Sequence, residues 1–150
     1  MKTLFIIANL IFVLYVSFIW IKYGVQKSIS NSYYVLPRNI NFLFTFFCWG
    51  FALPVIIIGA PQTPLMFFAG AGICFVGAAA QIKEEFVRRF HVACAVIAIA
   101  LSQIAIVFVY DMWFMTLICA LLLLIAYFGN KKTWIWWMEI VCFGEHRRGS

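Results

Sequence analysis

The most charged stretch of the chain runs from Gln81 to His91 and reads Gln-Ile-Lys-Glu-Glu-Phe-Val-Arg-Arg-Phe-His. Wound as a helix, it places Glu84, Arg88 and His91 on one face and sets Glu85 four residues before Arg89, the spacing of an ion pair. Carboxylates beside an imidazole are the groups of a metal ligand set or of acid–base catalysis, so Glu84, Glu85 and His91 are the candidate catalytic residues. Two carboxylates and one histidine do not complete a ligand set without another loop. A solvated, ion-paired turn at a membrane surface is the preferred reading, and no metal is expected.

A second polar segment, Lys27-Ser-Ile-Ser-Asn-Ser-Tyr-Tyr34, suits an anionic headgroup. Hydroxyl and amide donors satisfy phosphate oxygens, and flanking cations add attraction. The candidate ligand-binding residues are Lys27, Ser28, Ser30, Asn31, Ser32, Tyr33, Arg38 and Arg88. The competing reading is an ordinary polar loop with Tyr33 and Tyr34 anchored at the interface. Cys48, Cys74, Cys94 and Cys119 lie in apolar runs and Cys142 in the tail, with no CxxC or spaced Cys/His set, so neither zinc nor a redox motif is supported. Phosphate loops, dinucleotide fingerprints and nucleophile elbows are missing, and no cofactor is expected.

The elements that must carry these residues follow from composition. Of 150 residues, 66% are hydrophobic and 11% charged, too few polar groups to cover a soluble domain of this size. Five apolar runs, at 4–21, 40–60, 64–82, 90–110 and 112–128, hold no charged residue. Each approaches the roughly 20 residues a bilayer requires of a helix. None alternates in polarity as a barrel strand would, and lipid forces backbone groups to bond within their own segment. The expected fold is all-α: a single transmembrane domain over 1–150, with five spans and a C-terminal interfacial helix at 133–143, which is short and holds Glu139. The first run lacks a small-x-small cleavage pattern before Lys22 and is read as a retained helix. Gly149-Ser150 reads as an expression remnant.

Ten of the 11 lysines and arginines fall on one side of such a bundle, and Lys2 alone on the other. The positive-inside rule then places the N-terminus outside and the C-terminus in the cytoplasm of a cell inner membrane. Trp20, Tyr23, Tyr127, Trp134, Trp136 and Trp137 mark the cytoplasmic boundary, Tyr110 and Trp113 the outer one. The net charge of +6 therefore reports orientation, and no nucleic acid is expected as partner. The outer connections are short, Gly59–Pro64 and the turn at Asp111, which must consume residues on either side.

Small residues let membrane helices approach closely. Gly70, Cys74 and Ala78 on the third run, against Cys94, Ala98 and Ser102 on the fourth, predict a tight centre there. The Phe-rich second run reads as suited to the periphery or to a lipid-filled groove, with a kink at Pro54. Apart from residues at the span ends, no ionisable group is expected inside the bundle, which argues against proton-coupled transport.

Ser28–Tyr34, the Phe42–Trp49 helix and Phe67–Gly77 together resemble uncharacterised small polytopic membrane proteins of bacteria and phages. That resemblance covers the middle of the chain and implies no activity. A more distant likeness to multi-span membrane hydrolases fails at the metal site, because His91 and His146 are the only histidines and Asp111 lies on the other side. The resulting expectation is a small integral membrane protein that binds a lipid or a partner membrane protein, or a second copy of itself, through its cytoplasmic loops. The alternatives are an enzyme acting on lipid headgroups through Glu84, Glu85 and His91 with Ser30 or Ser32, and an oligomeric pore or small-solute transporter.

Overall fold

The computed structural model describes residues 2–80 and 85–144. Among the described residues there are seven helices and no strand: α1 (Lys2–Tyr23), α2 (Ser32–Val35), α3 (Phe42–Gly59), α4 (Pro64–Ala79), α5 (Glu85–Phe108), α6 (Trp113–Gly129) and α7 (Trp134–Gly144). The all-helical class is as expected. Three stretches, Ile6–Tyr23, Phe42–Gly59 and Arg89–Phe108, are long and apolar enough to cross a membrane, and α4 and α6 are shorter apolar helices.

The helix ends have local causes. Gly24, at φ +76°, closes α1 in the left-handed conformation that lacks a Cβ penalty. The Gln26 side chain then donates to the Tyr23 carbonyl at 2.8 Å. Thr63 caps α4 by accepting the Leu65 N–H, with Pro64 in the first turn where a missing N–H costs nothing. At the far end of α5 the last turn widens: Tyr110 N–H reaches back to the Ala105 carbonyl and Met112 N–H to Ile106. Asp111, at φ 52°, reverses the chain there. The turn thus takes in residues on both sides of Asp111.

Contacts fix the order and direction of the helices. Phe12 meets Phe51 and Tyr15 stacks on Phe47 with centroids 4.3 Å apart, so α1 and α3 are antiparallel. Gly59 faces Met66 and Gly77 faces Cys48, so α4 runs back along α3. Thr45 and Trp49 also donate to the Gly77 and Cys74 carbonyls of α4, at 3.0 and 3.2 Å. A Cβ on Gly72 would lie 3.0 Å from that of Ala98, and Phe75 packs edge-on to Phe90, which makes α5 antiparallel to α4. Thr116 donates to Gln103 at 3.0 Å between α6 and α5. Finally α7 folds back along α6, with Tyr127 against Trp134 and Cys119 against Cys142. It then meets the start of the row, where the Trp20 and Trp137 rings are 5.8 Å apart.

Three packing expectations need correction. The Phe-rich helix is not peripheral: Phe44, Phe47 and Phe51 are buried, while Phe42, Phe46 and Trp49 face outward. Spacings of three and four residues put the first set on one helical face, and that face is clamped between α1 and α4. The tight α4–α5 centre exists, but Gly72 supplies it against Cys94 and Ala98. Gly70 faces Ile56 of α3 instead, and Ala78 is exposed. Lastly, α7 forms a helix as expected but does not lie across the end of the bundle as an interfacial helix. Its register against α6 makes it the second arm of a hairpin, with Trp136, Glu139 and Cys142 buried.

Candidate functional site

The polar groups that converge inside the bundle belong to α1, the segment before α2, and α7. Backbone turns at Asn31, Ser32 and Tyr33 fold the 28–34 segment so that Ile29 and Ser32 point inward. This buries Ile29, at 3% exposure, and Ser32, at 0%, within the apolar core. The Ser32 hydroxyl donates to the Ile29 carbonyl at 2.5 Å. Its single proton is thereby used, so the Tyr15 hydroxyl, 2.6 Å away, is the donor to Ser32 Oγ. At the preceding peptide, the Ile29 N–H donates to the carboxylate of Glu139.

Glu139 faces a cavity of about 30 Å³ lined by Phe47, Phe51, Ile73, Val76, Ala98 and Ile99 among others, with Ser30 and Cys48 the other polar groups on its wall. Burial disfavours the charged carboxylate and pushes its pKa up to about 7, against the opposing effect of the Ile29 N–H bond. Three residues earlier on α7, Trp136 is fully enclosed and its indole N–H has no hydrogen-bond partner among the described residues.

The candidate ligand residues are only partly presented to the surface. Lys27 and Arg38 are exposed. Ser28 and Ser30 hydroxyls bond each other at 3.0 Å, and the Asn31 amide donates to Gln26 at 3.2 Å. Tyr33 packs against Tyr34 and Phe44, and Ser32 faces inward as described. Of the candidate catalytic set, Glu84 lies outside the described residues, as do the side chains of Glu85 and Arg88. His91 bonds to the backbone of Val76 on α4, and its Nδ1 has no partner among the described residues. Among the described residues no contact brings His91 to the Ser28–Tyr34 segment, and no three His, Cys, Asp or Glu side chains cluster as metal ligands.

Glu139 is the residue that sequence reasoning missed. Its place in a short run of mostly apolar residues read as a mark of the membrane surface. The available signal was the spacing of Trp136, Glu139 and Cys142, which share one helical face with two residue types that favour burial. No protein-family model, curated protein or solved structure matches the chain.

Proposed function

We propose that the chain is a five-span protein of the cell inner membrane, N-terminus outside and C-terminus cytoplasmic, that binds anionic lipid headgroups at its cytoplasmic end. Five spans are favoured because α4, though 16 residues long, runs along α3 from the Gly59 level to the Cys48 level. The observation that carries the binding reading is the distribution of the described cations. The antiparallel helix order puts Lys22, Lys27, Arg38, Arg89, Lys131 and Lys132 at one end of the bundle. Aromatic rings accompany them: Lys22 lies over Phe18 and Tyr23, and Lys131 over Tyr127. Such an end meets an anionic leaflet with roughly 1 kcal/mol of attraction per cation. The inward-turned serines leave Lys27 and Arg38 as the headgroup contacts from the first loop.

Native mass spectrometry after mild extraction tests the reading. An anionic phospholipid should remain bound, and a Lys27→Gln/Arg38→Gln pair should lose it; retention of only zwitterionic lipid, or none, would overturn the reading. Reporter fusions after Gly59 and Gly129 test the topology, with a cytoplasmic signal expected only from the second.

A further inference from the structure

We propose that Glu139 is a proton-binding site, and that its occupancy holds α7 against the rest of the bundle. The two arms that meet there come from opposite ends of the chain, the Ile29 peptide and α7, and the hydrogen bond from Ile29 N–H to the carboxylate joins them. The site cannot take a larger ligand. Its cavity, about 30 Å³, has room for one or two waters and not for an organic cation. Water at that position would carry protons to and from the carboxyl.

Among the described residues, few polar groups face the carboxylate besides the Ile29 N–H. From α3 the facing titratable group is the Cys48 thiol, and from the first loop the Ser30 hydroxyl. From α4 and α5 come only Ile73, Val76, Ala95, Ala98 and Ile99. On α6, Cys119 meets Cys142 one turn away, and on α1 the contact with α7 is Trp20. No described lysine or arginine pairs with Glu139. Protonated, the carboxyl sits in the apolar wall at little cost and still accepts the Ile29 N–H. Ionised, it is a buried charge with no cation paired to it among the described residues, and the state in which α7 swings away and hydrates it is favoured. Docking of α7 is therefore tighter in acid than in base.

The test uses the full chain in liposomes with Cys142 as sole cysteine, Cys48, Cys74, Cys94 and Cys119 being replaced by alanine. Cys142 is buried in the docked state. Its rate of alkylation by N-ethylmaleimide, divided at each pH by the rate in the same protein carrying Glu139→Gln, removes the thiol's own pH dependence. That ratio should rise about tenfold between about pH 6 and about pH 8; a flat ratio overturns the proposal. An independent reading is the infrared carbonyl band of a protonated carboxylic acid in the unaltered chain, which needs no variant. The band should persist at about pH 6 and vanish by about pH 8, and its loss near the ordinary 4.5 would overturn the proposal.

Discussion

The Tyr15 and Ser32 hydroxyls lie 2.6 Å apart inside the apolar core, joining the middle of α1 to a residue that the sequence alone places in a polar loop. Ser32 passes the bond on to the Ile29 carbonyl, and Ile29 passes it on through its N–H to Glu139. Every member is buried, so Ile29 and Ser32 tie the loop to the interior.

Ser32→Ala takes the acceptor from the Tyr15 hydroxyl and the donor from the Ile29 carbonyl, whereas Tyr15→Phe removes the donor to Ser32 Oγ and leaves the Ser32–Ile29 bond. Ser32→Ala and Tyr15→Phe are each expected to lower stability by about 1–3 kcal/mol. The double variant should lose less than the sum, because the unpaired group disappears with its partner. Thermal unfolding in detergent, run as a double-mutant cycle, measures this; strict additivity would show that the two hydroxyls do not act on each other.

Stability should also depend on pH through Glu139. Its carboxyl is pushed from 4.5 in the unfolded chain to about 7 in the fold, so between those values the folded state binds the extra proton. Its contribution is then full below about pH 4.5, declines as pH rises through the window, and is lost above about 7, a change of about 3 kcal/mol. Glu139→Gln carries no such charge, and its stability should lack this slope and exceed that of the parent at about pH 8. Denaturant titration of both proteins across the window decides the sign.

Glycines on α4 should be intolerant where a neighbour is already in contact. A Cβ on Gly77 would fall 2.7 Å from that of Cys48, whereas one on Gly129 would meet nothing within 4 Å. Gly77→Ala is expected to cost about 1–3 kcal/mol through overpacking, and Gly129→Ala to be neutral or slightly stabilising. Comparing the two melting temperatures separates a packing effect from a general intolerance of added side chains.

The hairpin of α6 and α7 offers a chemical check. The Cys119 and Cys142 sulfurs are 3.3 Å apart, close enough for copper-phenanthroline to oxidise them to a disulfide with little movement. A protease site placed at residues 130–133 should then release two fragments only after reduction. Fragments that separate without reductant would show that α7 does not lie along α6.

The long apolar runs and the turns at 59–64 and Asp111 are legible in the sequence because lipid solubility is a property of composition and the breaks between runs are polar or proline-rich. The Thr63–Pro64 start of α4 and the Asp111 reversal are written locally, in one or two residues. What was not legible depends on register between distant segments. Phe44, Phe47 and Phe51 differ from Phe42 and Phe46 only in facing α1 and α4, which no local pattern states. Ser32 and Glu139 look like surface residues by type, and their burial follows from partners far away in the chain, Tyr15 and Ile29. For the same reason no local pattern shows that Ser32 bonds Tyr15 and the Ile29 carbonyl, or that Glu139 is a carboxylate inside the bundle.

The bond from Ile29 to Glu139 spans 110 residues, while every other helix pairs with a near neighbour in the chain. During synthesis, at roughly 5–20 residues per second, α1 through α6 can insert and pair as they emerge. The Ile29 N–H must wait for its carboxylate until α7 arrives, although the Ser32 hydroxyl finds Tyr15 and the Ile29 carbonyl earlier. The bundle is thus closed by α7, and a ribosome stalled before residue 139 would hold a chain in which the Ile29 N–H lacks its carboxylate partner and the bundle is open on one side.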